Sequence, residues 1–192
     1  MTPRKSKKDE LTQQMILDTA REIFVKKGYK ETSMRVIAKE LNCSHGAIYY
    51  YFKDKAELLY AIINADFQLL NNLIDTILQS DQSNGEKLRA ILFSYLQFGL
   101  ENKSHYEVMF LMKREGGGSE SGPNVSYEKF AHALNQLGGG TISIKQIWSV
   151  FLALHGFVSQ YCWTNQTFED VKQLAESHVD FIWKGLNLEE MM

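Results

Sequence analysis

The sequence predicts an all-α fold, a small head of three helices followed by a body of six. Apolar residues recur at steps of three to five along almost the whole chain, the spacing of one helix face, and no stretch alternates convincingly with the period of two that strands need. Only 2 of the 192 residues are proline, and apolar types make up 44%, enough for a sizeable core. Short polar and glycine-rich clusters cut the periodic pattern into nine segments, and no internal repeat is present.

Residues 1–10 are polar, carry Arg4, Lys5, Lys7 and Lys8, and read as a flexible arm. Leu11, Met15, Ile16, Ala20, Ile23 and Phe24 form the stripe of helix one, which Gly28 ends, with Lys26 and Lys27 favourably placed at the negative end of its dipole. Thr32 or Ser33 can cap helix two, with Val36, Ile37 and Leu41 on one face. Asn42-Cys43-Ser44 breaks it, and Ser44 can cap helix three, His45 to Phe52. Asp54, with Glu57 three residues on, caps helix four, which continues to about Gln79. Helix five spans about 86–102, helix six about 104–113, and residues 114–125 form the clearest loop. Helix seven covers about 126–137, helix eight 143–163 and helix nine 168–185.

Several function classes are excluded on composition. Cys43 and Cys162 are far apart, and no HExxH or tight His/Cys cluster occurs, so neither a metal site nor a disulfide framework is expected. No cofactor motif and no paired carboxylates or nucleophile–base spacing support an enzyme. No run of 18 apolar residues occurs, and the chain is expected to be soluble and cytoplasmic, without a membrane role. The net charge of -2 conceals an asymmetry: residues 1–55 hold 12 Lys/Arg against 7 Asp/Glu, and residues 56–192 hold 9 against 16. A basic head on an acidic body suits phosphate binding at one end.

Residues 33–52 have helix-turn-helix spacing. At 100° per residue, Ile48 and Phe52 share the inward face of helix three, Gly46, Ala47, Tyr49 and Tyr50 lie opposite, and Ser44 and His45 sit at its tip. Glycine is costly inside a helix, and Gly46 is explained if another surface must approach closely, as in a DNA major groove.

The stretch ETSMRVIAKELNCSHGAIYYYFKDKAELL resembles the N-terminal motif of TetR-family repressors, with Ser44, Gly46, Ile48, Tyr49, Phe52, Lys55 and Leu58 in the characteristic slots. The likeness covers residues 10–60. It implies double-stranded operator DNA as partner, an N-terminal three-helix DNA-binding domain over 1–54, and a six-helix ligand-binding and dimerisation domain over 55–192. It further implies that Ser33 and Arg35 meet phosphates. Ser44, His45, Ala47 and Tyr50 would face base edges, while Tyr49 and Tyr51 would hold the DNA backbone and Lys55 a phosphate. The slot of Tyr51 is often histidine in the family. The alternative for the three tyrosines is an aromatic core patch, and for Arg35 a solvated charge. His155-Gly156, with Trp148 upstream, resembles the WHG type of C-terminal domain.

In the body, Tyr95, Phe98, Tyr106, Met109, Phe110, Trp148, Phe151 and His155 are candidates to line a cavity for a small lipophilic ligand, which the resemblance implies. At helical spacing the same residues also read as ordinary core. Helix eight is apolar nearly all round and needs cover on every side. A second copy would supply it through a seam carrying Phe157, Tyr161, Leu174 and Phe181, giving a two-fold homodimer. The alternative is that helix eight is the central helix of a monomer. The expected function is that of a ligand-released repressor. The rival, a protein-binding adaptor without DNA contact, is countered by Gly46, Tyr49 and Lys55.

Overall fold

The computed structural model describes residues 11–112 and 121–186, the side chains of 121–126 excepted. The basic arm, Arg4, Lys5, Lys7 and Lys8, and most of the expected 114–125 loop lie outside the described residues. Among those described, the chain is all-α, with no strand. It divides into two compact units, 1–62 and 63–192, and the division falls within the fourth helix.

The first unit contains α1 (Gln13–Lys27), α2 (Met34–Glu40), α3 (His45–Tyr49) and the first two turns of α4 (Lys55–Leu78). Side-chain caps start these helices, at Ser44 and Asp54 as expected. Thr12 accepts from the Met15 amide, Ser44 from Ala47 at 3.2 Å, and Asp54 from Glu57 at 2.8 Å. Ser33, not Thr32, caps α2; buried Thr32 instead donates to the Gly28 carbonyl at 2.8 Å. Gly28 ends α1 with φ +83°, a left-handed conformation that glycine takes without strain. Ile16, Ala20, Phe24, Ile37 and Ile48 are fully buried and form the core of this unit. Helix α3 is shorter than expected. After Tyr49 the Tyr51 amide donates to the Ile48 carbonyl three residues back, a tightened last turn, while Phe52 stays 3% exposed.

In the second unit α4 leads to α5 (Asn84–Glu101), α6 (Lys103–Tyr106), α7 (Ser121–Leu137), α8 (Ile144–Cys162) and α9 (Phe168–Gly185). Three helices begin with reciprocal capping boxes, Ser83 with Glu86, Ser143 with Gln146, and Thr167 with Asp170. Two elements differ from expectation. The sixth helix is α-helical for only four residues and continues as a π-helical turn, Glu107–Leu111. Helix α7 spans Ser121–Leu137, so residues 121–125 of the expected loop are helical.

The central element is α5, not α8. It packs against α7, α8 and α9 and buries Leu88, Ile91, Leu92, Tyr95, Leu96 and Leu100. Its approach to α8 is close enough that a Cβ on Gly99 would lie 2.5 Å from a Val158 methyl. Helix α8 is correspondingly left with exposed apolar side chains, Ile144, Trp148 and Leu152. We predict that Gly99→Ala lowers stability by about 1–3 kcal/mol through overpacking. Adding Val158→Ala should recover part of that loss, a positive coupling measurable by denaturant unfolding.

Candidate nucleic-acid interface and candidate ligand cavity

Ile48 is fully buried in the first unit, and its placement fixes the orientation of α3. Ser44, His45, Gly46 and Tyr49 are exposed, Ala47 is half-buried, and Tyr50 is 85% exposed. A Cβ built on Gly46 meets nothing within 4 Å among the described residues, so packing among them gives no reason for glycine there. The His45 and Tyr49 rings meet edge to face at 4.6 Å, which holds both at the tip of α3. Arg35 lies exposed on α2, beside Ser33, whose hydroxyl is engaged as the cap. The outward face is therefore small in the middle and polar-aromatic at its edges, a shape that a major groove admits.

Two expected backbone contacts have other partners. The Tyr51 hydroxyl donates to the Leu11 carbonyl at 2.6 Å and ties the start of the described chain to the end of α3. The Lys55 ammonium donates to the carbonyls of Tyr29 at 2.7 Å, Thr32 at 2.8 Å and Lys30 at 3.4 Å. It also sits 4.2 Å from the centre of the Tyr29 ring. All three of its N–H groups have acceptors within the fold, and burial pulls its pKa below the ordinary lysine value. Lys55 clamps the α1–α2 turn. Sequence alone could not show this, because the carbonyls lie 23 to 26 residues away.

In the second unit the aromatic candidates gather around α5. A cavity of about 20 Å³ is lined by Phe67 and Leu70 of α4, Tyr95 of α5, Phe110 of the π-turn, Tyr127 and Phe130 of α7, and Phe151 of α8. Phe67, Leu70, Tyr127 and Phe130 were not anticipated; their i, i+3 spacing is the only sequence signal, and it is shared by ordinary core. Trp148, Phe151 and His155 stack along α8 with interplanar angles of 21° and 11°. Tyr106 is fully buried beside them, and Met109 is buried on the π-turn but outside the lining. Phe98 is placed elsewhere, against a groove with Leu69 and Leu73.

A hydrogen-bond chain crosses this cluster. The Tyr95 and Tyr106 hydroxyls are 3.1 Å apart, Tyr106 lies 2.7 Å from His155 Nδ1, and His155 Nε2 lies 3.4 Å from the Ser159 hydroxyl. Burial pushes the pKa of both tyrosines up and that of His155 down, so all three are neutral at neutral pH. A neutral imidazole accepting from Tyr106 at Nδ1 donates to Ser159 from Nε2, which satisfies the chain in one direction.

The four seam candidates share one surface. Phe157, Tyr161, Leu174 and Phe181 border a groove of about 310 Å³ with Gln160, Ser177 and His178. Leu174 is 51% and Phe181 72% exposed, whereas Phe157 is buried against the rings of Tyr161 and His178. Among the described residues no group of three or more His, Cys, Asp or Glu side chains is placed to hold a metal, and no helix is long and apolar enough to cross a membrane.

Residues 16–62 match the family of bacterial regulatory proteins, tetR family. HTH-type transcriptional regulators of Staphylococcus aureus strains USA300 and NCTC 8325 are 35% identical over 91 residues, covering 47% of this chain and 49% of theirs. The chain thus matches about half the length of these curated relatives. The fold resembles that of FadR from Bacillus subtilis, a transcriptional regulator crystallised with stearoyl-CoA (TM-score 0.74, 19% identity, 89% of this chain and 97% of that one). It also resembles a TetR/AcrR-family regulator from Thermobifida fusca (TM-score 0.69, 20% identity, 90% and 97%).

Two substitutions separate the outward face of α3 from its support. Gly46→Ala should raise stability by up to about 1 kcal/mol, since the helix gains propensity and the methyl meets open space. The same change should weaken binding to specific duplex DNA by about ten-fold, on the scale of one lost base contact. Lys55→Met should do the converse, costing about 1–3 kcal/mol of stability as the turn carbonyls lose their donor. Its binding measured under conditions where the variant is folded should keep the salt slope of the parent; a slope lowered by about one would show a phosphate contact instead.

Proposed function

We propose that the chain, whose residues 16–62 match the family of bacterial regulatory proteins, tetR family, is a sequence-specific DNA-binding transcriptional regulator, a cytoplasmic homodimeric repressor released by a small lipophilic ligand. Residues 1–54 act as the DNA-binding domain and residues 55–192 as the ligand-binding and dimerisation domain, of the WHG type. The observation that carries the reading is the face of α3, where Tyr50 stands 85% exposed and Gly46 leaves open space that nothing among the described residues fills. His45, Ala47 and Tyr50 specify bases; Ser33, Arg35 and Tyr49 position the helix on phosphates.

Dimerisation is supported by the exposed Leu174 and Phe181 beside the groove of α8 and α9. A two-fold partner covering that surface would give the symmetry that a palindromic operator needs. The aromatic cavity supports a lipophilic effector. Ligand binding then shifts the population toward dimers whose heads no longer match successive major grooves, about 34–36 Å apart.

The test is selection of bound duplexes from a random library by the full chain. A palindromic consensus is expected, whose binding weakens steeply with salt; only salt-sensitive, sequence-indifferent binding would sink the proposal. Leu174→Glu/Phe181→Glu, at two exposed positions, should sediment as a folded monomer and lose the palindrome while the parent sediments as a dimer.

A further inference from the structure

We infer that α3 selects its operator through thymine: the bare backbone at Gly46, the Ala47 methyl and the open ring of Tyr50 receive the C5-methyl groups that thymine alone among the four bases presents in a major groove. The inference rests on the reading that α3 enters that groove, and it names the base chemistry met there.

The residue types of the helix set the choice. From Ser44 to Phe52 there is no Arg, Lys, Asn, Gln, Asp or Glu. Those are the side chains that recognise the other three bases, Arg or Lys gripping guanine, Asn or Gln adenine, and Asp or Glu cytosine. The nearest of them, Asn42 and Lys53, lie beyond the two ends of the helix. The polar side chains that remain are weaker readers. The Ser44 hydroxyl caps the helix, accepting from the Ala47 amide at 3.2 Å. The His45 ring is held edge to face against Tyr49, and an imidazole nitrogen makes one hydrogen bond where a guanidinium or carboxamide makes two.

The geometry supplies an apolar alternative. Gly46, Ala47 and Tyr50 share one strip, since helical residues three and four apart are neighbours. Tyr50 keeps helical backbone angles, φ -64° and ψ -33°, so the spacing holds as far as its position. A Cβ on Gly46 would have nothing within 4 Å among the described residues, which leaves the strip open beside Ala47 and Tyr50. Tyr50 is exposed to water, yet its ring is buttressed. It meets the Tyr51 ring edge to face at 5.2 Å, and Tyr51 is itself tied to the Leu11 carbonyl. Apolar surface fixed in this way loses no freedom when a methyl group covers it. Each methyl taken out of water strengthens binding by about four-fold.

The duplex that the full chain selects from a random library is resynthesised with deoxyuridine in place of thymidine, one position at a time. Uracil keeps every hydrogen-bonding group of thymine and lacks only the methyl. At least one position in each half-site should lose about four-fold in affinity, read by fluorescence anisotropy. Tyr50→Ser, at an exposed position, should bring one such thymine-to-uracil ratio to about one, whereas Tyr50→Phe, which keeps the ring, should preserve it. A ratio near one at every position of the parent chain would overturn the inference. So would losses that persist undiminished in Tyr50→Ser, which belong to the DNA itself, or losses that vanish in Tyr50→Phe, which belong to the hydroxyl. A consensus that forms and tolerates uracil throughout retires thymine recognition alone; the absence of any consensus retires it together with the proposed operator binding.

Discussion

A helix of five residues cannot stand by itself in water, because nucleation costs more than one turn of hydrogen bonds returns. Helix α3 exists because Ile48 and Phe52 are driven into the core and because Tyr51 ties its far end to Leu11. Lys55 holds the neighbouring α1–α2 turn from the start of α4. Once Ile48 is inside, 100° per residue leaves no freedom for its neighbours: Gly46, Tyr49 and Tyr50 face out. The outward face is the remainder left by the burial of two side chains.

Much of this was legible from the chain alone, for reasons of locality. Caps act within three or four residues, so Ser44 and Asp54 could be identified from spacing, and α9 begins and ends where its periodicity does. Where sequence failed, the deciding contacts were distant or the signal degenerate. Tyr51 and Lys55 read as outward polar groups because their carbonyl partners are 40 and 23 to 26 residues away. Residues 121–125 look like loop by composition, yet their backbone is helical. Phe67, Tyr127 and Phe130 could not be told from any other apolar helix position, and Phe98, three residues from Tyr95, falls on a separate groove.

The body shows how a polar chain can live in an aromatic core. Tyr95, Tyr106 and His155 would each be costly to bury alone, but each hydroxyl or ring nitrogen answers the next, ending at Ser159 near the outer side of α8. The close α5–α8 approach permitted by Gly99 brings these helices within reach of one another. Stacking of Trp148, Phe151 and His155 then fixes the imidazole orientation on which the direction of the chain depends.

The three capping boxes give the body an unequal response to acid. Hydrogen bonds from the Ser83 hydroxyl and amide hold the Glu86 carboxyl below its ordinary value of 4.5, and those from the Thr167 amide and hydroxyl hold Asp170 below 3.8. A carboxylate whose folded pKa is depressed contributes stability above its unfolded value and loses it as the pH falls through the folded one. Gln146, which closes the box of α8, has no proton to gain. Acidification therefore frays the beginnings of α5 and α9 while the beginning of α8 keeps its staple, so the helices do not come undone together.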